Sequence, residues 1–393
     1  MATLDLKNQA CIVGVGQSEK FGFVLNKSPV TLQIEALKAA LADAGLQRDD
    51  IDGFQSAHGF PSGVDYDEFA VLTGCNFKWV AQFWNHGRWG ASSIAHAAMA
   101  VAFGLCNYVA IMNTTLSARG YGRWRPRTRE SPRDLGGGHG EVPYHGFDTP
   151  GAATSMAAQK YMRKYGATSE ELGATAVAFR KHANLNPMAI MRDRTMTLED
   201  YMNSRMITPP YHLFDYCLVN EGSNCLIVTT AERAKNLKKR PVNISGHQGT
   251  PGNRDNFNIF SRRGLGVAFD EELDYKPKER QVYQMAGVTQ KDIDAFYTYD
   301  SFSTNLWMAL ETFGFCDIGE AHLFCQDGRI ELGGELPCNT NGGLMSEGHY
   351  SGYNQMVEMV RQLRGECGPR QVKDAEVVQW GPAWGDSVIF TKG

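Results

Sequence analysis

The chain has 393 residues and a net charge of −4, enough for two domains or one large duplicated domain with a sizeable core. Lys plus Arg (39) nearly balances Asp plus Glu (43), which offers no basic surface for nucleic acid. No apolar run reaches the ~18 residues of a membrane helix. Nine scattered cysteines without a CxxC pair fit a reduced, cytoplasmic protein, and the N-terminus has no secretory pattern.

In chain order, Ala10–Gly16 (ACIVGVG) predicts a buried strand ending in a glycine turn. This lone GxG lacks the GxGxxG spacing and makes no case for a dinucleotide. Thr31–Ala44 predicts an amphipathic helix with Leu32, Ile34, Ala36, Leu37 and Leu41 mostly on one face. Ser92–Val101 is apolar almost all round and predicts a buried helix, with His96 as a satisfied core histidine, and Tyr108–Met112 predicts the next strand. The arginine-rich stretch from 119 to 134, continued by GGGHGEVPYHG, predicts a long loop over 119–150. Ser155–Tyr165 and Ser169–Asn184 predict helices. Gly352–Leu363 predicts a helix behind a glycine turn, and Glu376–Gln379 and Ser387–Phe390 predict paired strands.

Ala44–Phe54 (AGLQRDDIDGF) recurs as Ala286–Phe296 (AGVTQKDIDAF), with six of eleven positions identical. A helix precedes and a strand follows each copy, which points to a duplicated α/β unit. The expected division is an N-terminal half over 1–230, with an insertion at about 117–215, and a C-terminal half over 231–393. Each half offers a central helix whose N-terminus meets a glycine-rich turn, an arrangement that favours anionic groups.

Several stretches carry a resemblance: GVGQSEKFG, GASSIAHAAMAVAFG, AAQKYMRKYGATSEELGATAVAFRKHANLNPMA and PCNTNGGLMSEGHYSG followed by QLRGECGPRQV. Together they resemble the thiolase superfamily, sterol-carrier-protein thiolase type, over nearly the whole chain. The resemblance implies an α/β thiolase fold, five-layered αβαβα, built from two duplicated βαβαβαββ halves.

The thiolase cysteines are missing. Before the first central helix the chain reads FWNHGRWGASS, with Gly87 at the nucleophile position and His86 and Trp89 beside it. The C-terminal turn reads VVQWGPAWGDS, with Gly381 and no cysteine. The third motif is TYDSF, so Tyr299 takes the polar position before acidic Asp300. The fourth survives as GHY, with His349 in place, Tyr350 after it and Gly343 upstream.

Without a thiolate no acyl-enzyme forms by the usual route. A histidine, two tyrosines and hydrogen-bond donors suit carbon–carbon cleavage through an enolate. The resemblance extends to the cysteine-free aldolases of sterol and bile-acid side-chain degradation. It implies retro-aldol cleavage of a β-hydroxyacyl-CoA to a ketone and a short acyl-CoA. Tyr299 is expected at the β-hydroxyl, Tyr350 at the opposite proton transfer, and His349 at the thioester oxygen or a tyrosine. Asp300 is expected to orient the site, while Tyr297 and Tyr353 are lesser candidates. No cofactor beyond the CoA of the substrate is expected. Arg123, Arg125 and Arg127 are candidates for its phosphates, or lie in a solvated loop. His139 and His145 lack cysteine or acidic partners at ligand spacing, so no metal is expected.

The resemblance further implies a homodimer and a small OB-fold partner, often with a zinc ribbon. Phe83, Trp84, Trp89 and Trp124 fit a bulky apolar substrate such as a steroid side chain. Two alternatives stay open: a Claisen-type thiolase using another cysteine, with Cys338 best placed, and a non-catalytic acyl-CoA-binding subunit.

Overall fold

The computed structural model describes residues 6–24, 26–56, 65–83, 90–116, 150–250 and 281–393. The sequence candidates His86, Gly87, Trp89, Arg123, Arg125 and Arg127 lie outside these residues, as do Trp84, Trp124, His139 and His145.

The strands are β1 (Ala10–Gln17), β2 (Gly53–Ser56), β3 (Trp79–Gln82), β4 (Tyr108–Leu116), β5 (Met206–Thr208), β6 (Tyr211–His212), β7 (Glu221–Thr230), β8 (Val242–Gln248), β9 (Ala295–Tyr297), β10 (Val377–Trp380) and β11 (Ser387–Lys392). The helices used below are α1 (Pro29–Ala44), α2 (Tyr66–Thr73), α3 (Gly90–Ala102), α4 (Pro150–Tyr165), α5 (Ser169–Asn184), α6 (Gln281–Ala286), α7 (Thr304–Phe313), α8 (Gly343–Ser346) and α9 (Tyr353–Arg364).

Nine strands form one hydrogen-bonded order, β3-β2-β4-β7-β1-β8-β11-β10-β9. The order repeats about its β1–β8 step. In the N-terminal half β1 pairs antiparallel with β7, β7 antiparallel with β4, and β4 parallel with β2. In the C-terminal half β8 pairs antiparallel with β11, β11 antiparallel with β10, and β10 parallel with β9. Among the described residues, strand pairing joins the two half-sheets through Cys11↔Asn243 and Ile12↔Val242.

The repeated sequence does the same local work twice. Helices α1 and α6 end at Gly45 (φ 74°) and Gly287 (φ 71°). A capped 3-10 turn follows, at Arg48–Asp50 and Gln290–Asp292, and then β2 or β9 begins. The glycines of β1 and β8 also match. A Cβ at Gly16 would sit 2.2 Å from the Ala36 carbonyl oxygen, and one at Gly246 would sit 2.4 Å from that of Val282. GVG is therefore a close-packing device for α1.

Alternation along the strands sets the layers. Val109 and Ile111 of β4 face a central core shared with α3 and α9, while Ala110 and Met112 face α1. In the other half Ala295, Tyr297, Val378 and Trp380 face the central core, and Phe296 faces the outer one. Helices α3 and α9 each touch strands of both halves, α1 covers β1, β7 and β4, and α6 covers β8 and β11. The result is five layers, αβαβα, with the two central helices between the half-sheets.

One expectation changes. His96 is exposed on α3 and stacks on Phe83 with ring centroids 4.8 Å apart. Ser92 and Met99 are partly exposed and Phe103 is 62% exposed, so α3 carries an open stripe at helical spacing. The prevalence of alanine masked this amphipathicity. No helix among the described residues is long and apolar enough to cross a membrane.

Candidate active site

Strands β9 and β10 run parallel, with Tyr297 opposite Trp380. Their C-terminal ends therefore open side by side, where α/β sheets place ligands. Tyr299 lies two residues beyond β9, and Gly381 directly follows β10, its N–H donating to the Tyr297 carbonyl at 2.8 Å. Phe313 packs so close to Gly381 that a Cβ there would lie 2.4 Å from its ring.

Asp300 joins this edge to the GHY turn. Its buried carboxylate accepts the N–H groups of Leu344 (2.9 Å) and Met345 (3.3 Å) at the start of α8, and Gln355 Nε2 at 2.9 Å. Burial pushes the carboxyl up to about 7, and these donors oppose the shift. A Cβ at Gly343 (φ 63°) would sit 2.1 Å from Asp300 Oδ2, so α8 approaches this closely only with glycine there.

Glu347 anchors the next residues. It accepts from Asn186 at 2.9 Å, from Asn354 at 2.6 Å and from Asn341, three amides from three separate segments. Burial pushes its carboxyl up to about 7.

From Leu336 to Val360 every residue is buried except His349, which is partly exposed. Its Nε2 lies 2.9 Å from the Tyr299 hydroxyl, and the two rings meet edge to face at 5.6 Å. Burial pushes the imidazole down to about 4, so it is neutral near pH 7. Trp384 of the β10–β11 turn packs against Tyr299, with centroids 5.4 Å apart.

Tyr350 is held by other groups. Its hydroxyl donates to the Glu221 carbonyl at 2.8 Å, and its ring lies 4.1 Å from that of Phe21. Burial pushes this phenol well above its usual range, so it stays protonated. The lesser candidates are bonded within the core: Tyr297 to Thr340 at 2.7 Å and Tyr353 to Ser93 at 2.6 Å.

The helix N-termini differ from the sequence expectation. Asp386 accepts from Ala91 N–H and Ser92 Oγ, each at 2.9 Å, so a carboxylate of the protein already occupies the start of α3. Its carboxyl is pushed up to about 7 by burial, against those bonds.

All nine cysteines are free. Burial raises the thiols of Cys11, Cys106, Cys217, Cys225, Cys325, Cys338 and Cys367. Cys338 is fully buried and bonds the Leu336 carbonyl at 3.2 Å. These are inert thiols, the opposite of an activated nucleophile. Among the described residues no group of three His, Cys, Asp or Glu could hold a metal ion.

The structure thus brings together Tyr299, His349, Asp300 and Gly343, with Gly381 on the neighbouring strand end. The sequence reading missed Trp384, Asp386, Glu347 and Asn220, whose carboxamide oxygen accepts the His349 N–H at 2.6 Å. Trp384, Asp386 and Asn220 meet partners far along the chain, whereas Glu347 lies within PCNTNGGLMSEGHYSG and is bonded by nearby Asn341 and Asn354.

The chain is similar to known proteins over most of its length. Residues 277–383 match the family described as Thiolase C-terminal domain-like. A 17-hydroxy-3-oxo-4-pregnene-20-carboxyl-CoA lyase of Mycobacterium tuberculosis is 37% identical over 92% of each chain. A steroid side-chain-cleaving aldolase of Thermomonospora curvata is 35% identical over 92% of this chain and 91% of its own. The solved Ltp2-ChsH2(DUF35) aldolase superposes with a TM-score of 0.86 at 32% identity, covering 99% of both chains.

Proposed function

The chain belongs to the thiolase superfamily, in its branch of steroid side-chain aldolases, and on that premise we propose how it cleaves a β-hydroxyacyl-CoA by a retro-aldol reaction. The products are a ketone and a short acyl-CoA, and the enzyme is a carbon–carbon lyase. The substrate is a steroid-type thioester with a bulky apolar body, by analogy with the 17-hydroxy-3-oxo-4-pregnene-20-carboxyl-CoA lyase of M. tuberculosis.

The observation that carries the mechanism is the 2.9 Å bond between Tyr299 and His349 at the one opening in a buried stretch. Tyr299 meets the β-hydroxyl and takes its proton while its own proton passes to neutral His349. The Cα–Cβ electrons move into the acyl-CoA enolate as the ketone forms. The imidazolium then balances the enolate charge in a low-dielectric site. Tyr350 protonates the α-carbon, after its O–H turns from the Glu221 carbonyl, and is reprotonated from the His349 side. The β-hydroxyl proton is thereby exchanged for one at Cα, and no free CoA is consumed. Asp300 holds the two turns together, and Arg123, Arg125 and Arg127 take the CoA phosphates.

We assign two further features to assembly. Among the described residues strand β3 is a partly exposed sheet edge, and Phe83 directly after it stacks on His96 of the open α3 stripe; such edges are normally covered. A second copy covers them, giving a homodimer. A small partner, which we take to carry an OB fold, completes a hetero-oligomer; the two-component Ltp2-ChsH2(DUF35) aldolase supports such a partner.

The test is incubation with a β-hydroxyacyl-CoA, with and without the OB-fold partner. Ketone and short acyl-CoA should appear in equal amounts without free CoA. Cleavage that needs free CoA and stops on cysteine alkylation would overturn the reading.

A further inference from the structure

The GHY turn is strained. Ser351 has φ 55° and Gly352 φ 94°, and a non-glycine residue in the left-handed region needs external support. At His349 that support comes from one side chain far away in sequence. Asn220 Oδ1 accepts the His349 N–H at 2.6 Å, and Asn220 Nδ2 points to the His349 carbonyl at 3.4 Å. The same amide reaches the Tyr350 hydroxyl.

Asn220 itself is buried and belongs to a strap, residues 216–221, that crosses both site turns. Cys217 N–H donates to the Ser301 carbonyl at 3.0 Å, and Leu218 N–H to that of Leu344 at 3.0 Å. Tyr216 bridges Phe302. Directly after Asn220, Glu221 accepts the Tyr350 hydroxyl. The strap enters β7 in the N-terminal half, while His349 and Tyr350 belong to the C-terminal half.

We propose that Asn220 is a positioning residue for the lyase reaction: its carboxamide fixes the His349 peptide and the Tyr350 hydroxyl, so that both keep register with Tyr299. This rests on the lyase mechanism above. Asparagine suits the role because it offers an acceptor and donors within one planar group. Aspartate keeps only the acceptor and adds a charge beside the Tyr350 phenol.

The test compares Asn220→Ala and Asn220→Asp with the wild-type full chain, assayed with its partner. Asn220→Ala should lower kcat by about 10- to 100-fold, as displaced catalytic groups do, with KM within about twofold. Asn220→Asp keeps the His349 N–H bond, so it should retain more activity than the alanine variant while moving the alkaline limb of kcat to higher pH. If the alanine variant fails to fold, the near-isosteric aspartate variant carries the test. Unchanged kcat per folded molecule with an unchanged pH profile in either variant would overturn the role.

A second readout does not depend on activity. The ring nitrogen resonances of His349, in protein labelled with 15N-histidine, report its bond to Tyr299. They should shift in Asn220→Ala. Resonances identical to wild type would overturn the inference even if the protein proved not to be a lyase. A wild-type chain that cleaves nothing would instead overturn the lyase reading.

Discussion

Tyr299 and His349 are fifty residues apart and share a 2.9 Å hydrogen bond. Each sits on a turn of the C-terminal half, and Asp300 clamps the two turns by accepting the Leu344 and Met345 N–H groups of α8. The phenol and the imidazole therefore form one hydrogen-bonded unit, at the one partly exposed position of the stretch 336–360.

The clamp should be measurable as stability. Asp300→Ala leaves the Leu344 and Met345 N–H groups and the Gln355 amide without this acceptor. Each stranded buried donor costs about 1–3 kcal/mol, so we expect a loss of at least ~3 kcal/mol by urea unfolding. Gly343→Ala should also destabilise, because its Cβ would meet Asp300 Oδ2 at 2.1 Å and φ is 63°. Wild-type stability in both variants would refute the clamp.

The imidazole should resist protonation. Burial holds His349 at about 4, below the ordinary ~6.5, so its ring resonances should stay constant between about pH 5.5 and 8. Acidification acts on the unfolded chain first. The unfolded histidine gains its proton near ~6.5 while the folded one does not, so this group withdraws stability as pH falls from ~6.5 to ~4. His349→Gln should remove that contribution. A ring that titrates at ordinary pH would contradict the environment described.

Alkylation separates lyase from thiolase chemistry. The thiols with raised pKa are poorly nucleophilic, so iodoacetamide treatment of the native protein at neutral pH should leave turnover within about twofold. Complete inactivation that follows labelling of one cysteine would restore the acyl-enzyme reading.

Assembly can be probed on α3. Phe103 is 62% exposed and lies in line with Met99, His96 and Ser92. Phe103→Glu should leave the thermal midpoint almost unchanged and convert dimer to monomer in light scattering. A wild-type chain that is monomeric at micromolar concentration would contradict the dimer.

Much of this was legible in the sequence because local rules and tertiary structure agree. The AGLQRDDIDGF repeat announced two equivalent helix–turn–strand units, and the strand order repeats accordingly. TYDSF and GHY were recognisable as site turns from the resemblance, and they do meet. What escaped was long-range. Asn220 lies in CLVNEGS, a stretch with no motif, and gains its role only by crossing the GHY turn. Asp386 carries no signal in VVQWGPAWGDS, yet its carboxylate occupies the N-terminus of α3, where the sequence pattern favours an anionic ligand. His96 was misread because alanines made α3 look buried on every side, although His96, Met99 and Phe103 recur at helical spacing.

The central claim is that the Tyr299 hydroxyl, working through His349, relays the β-hydroxyl proton. Its most direct test is the single-turnover rate of Tyr299→Phe on a β-hydroxyacyl-CoA without free CoA. Folding and substrate binding should stay intact, with cleavage slowed by about 10²- to 10⁴-fold, the usual reach of general acid–base catalysis. Cleavage at the wild-type rate would contradict it.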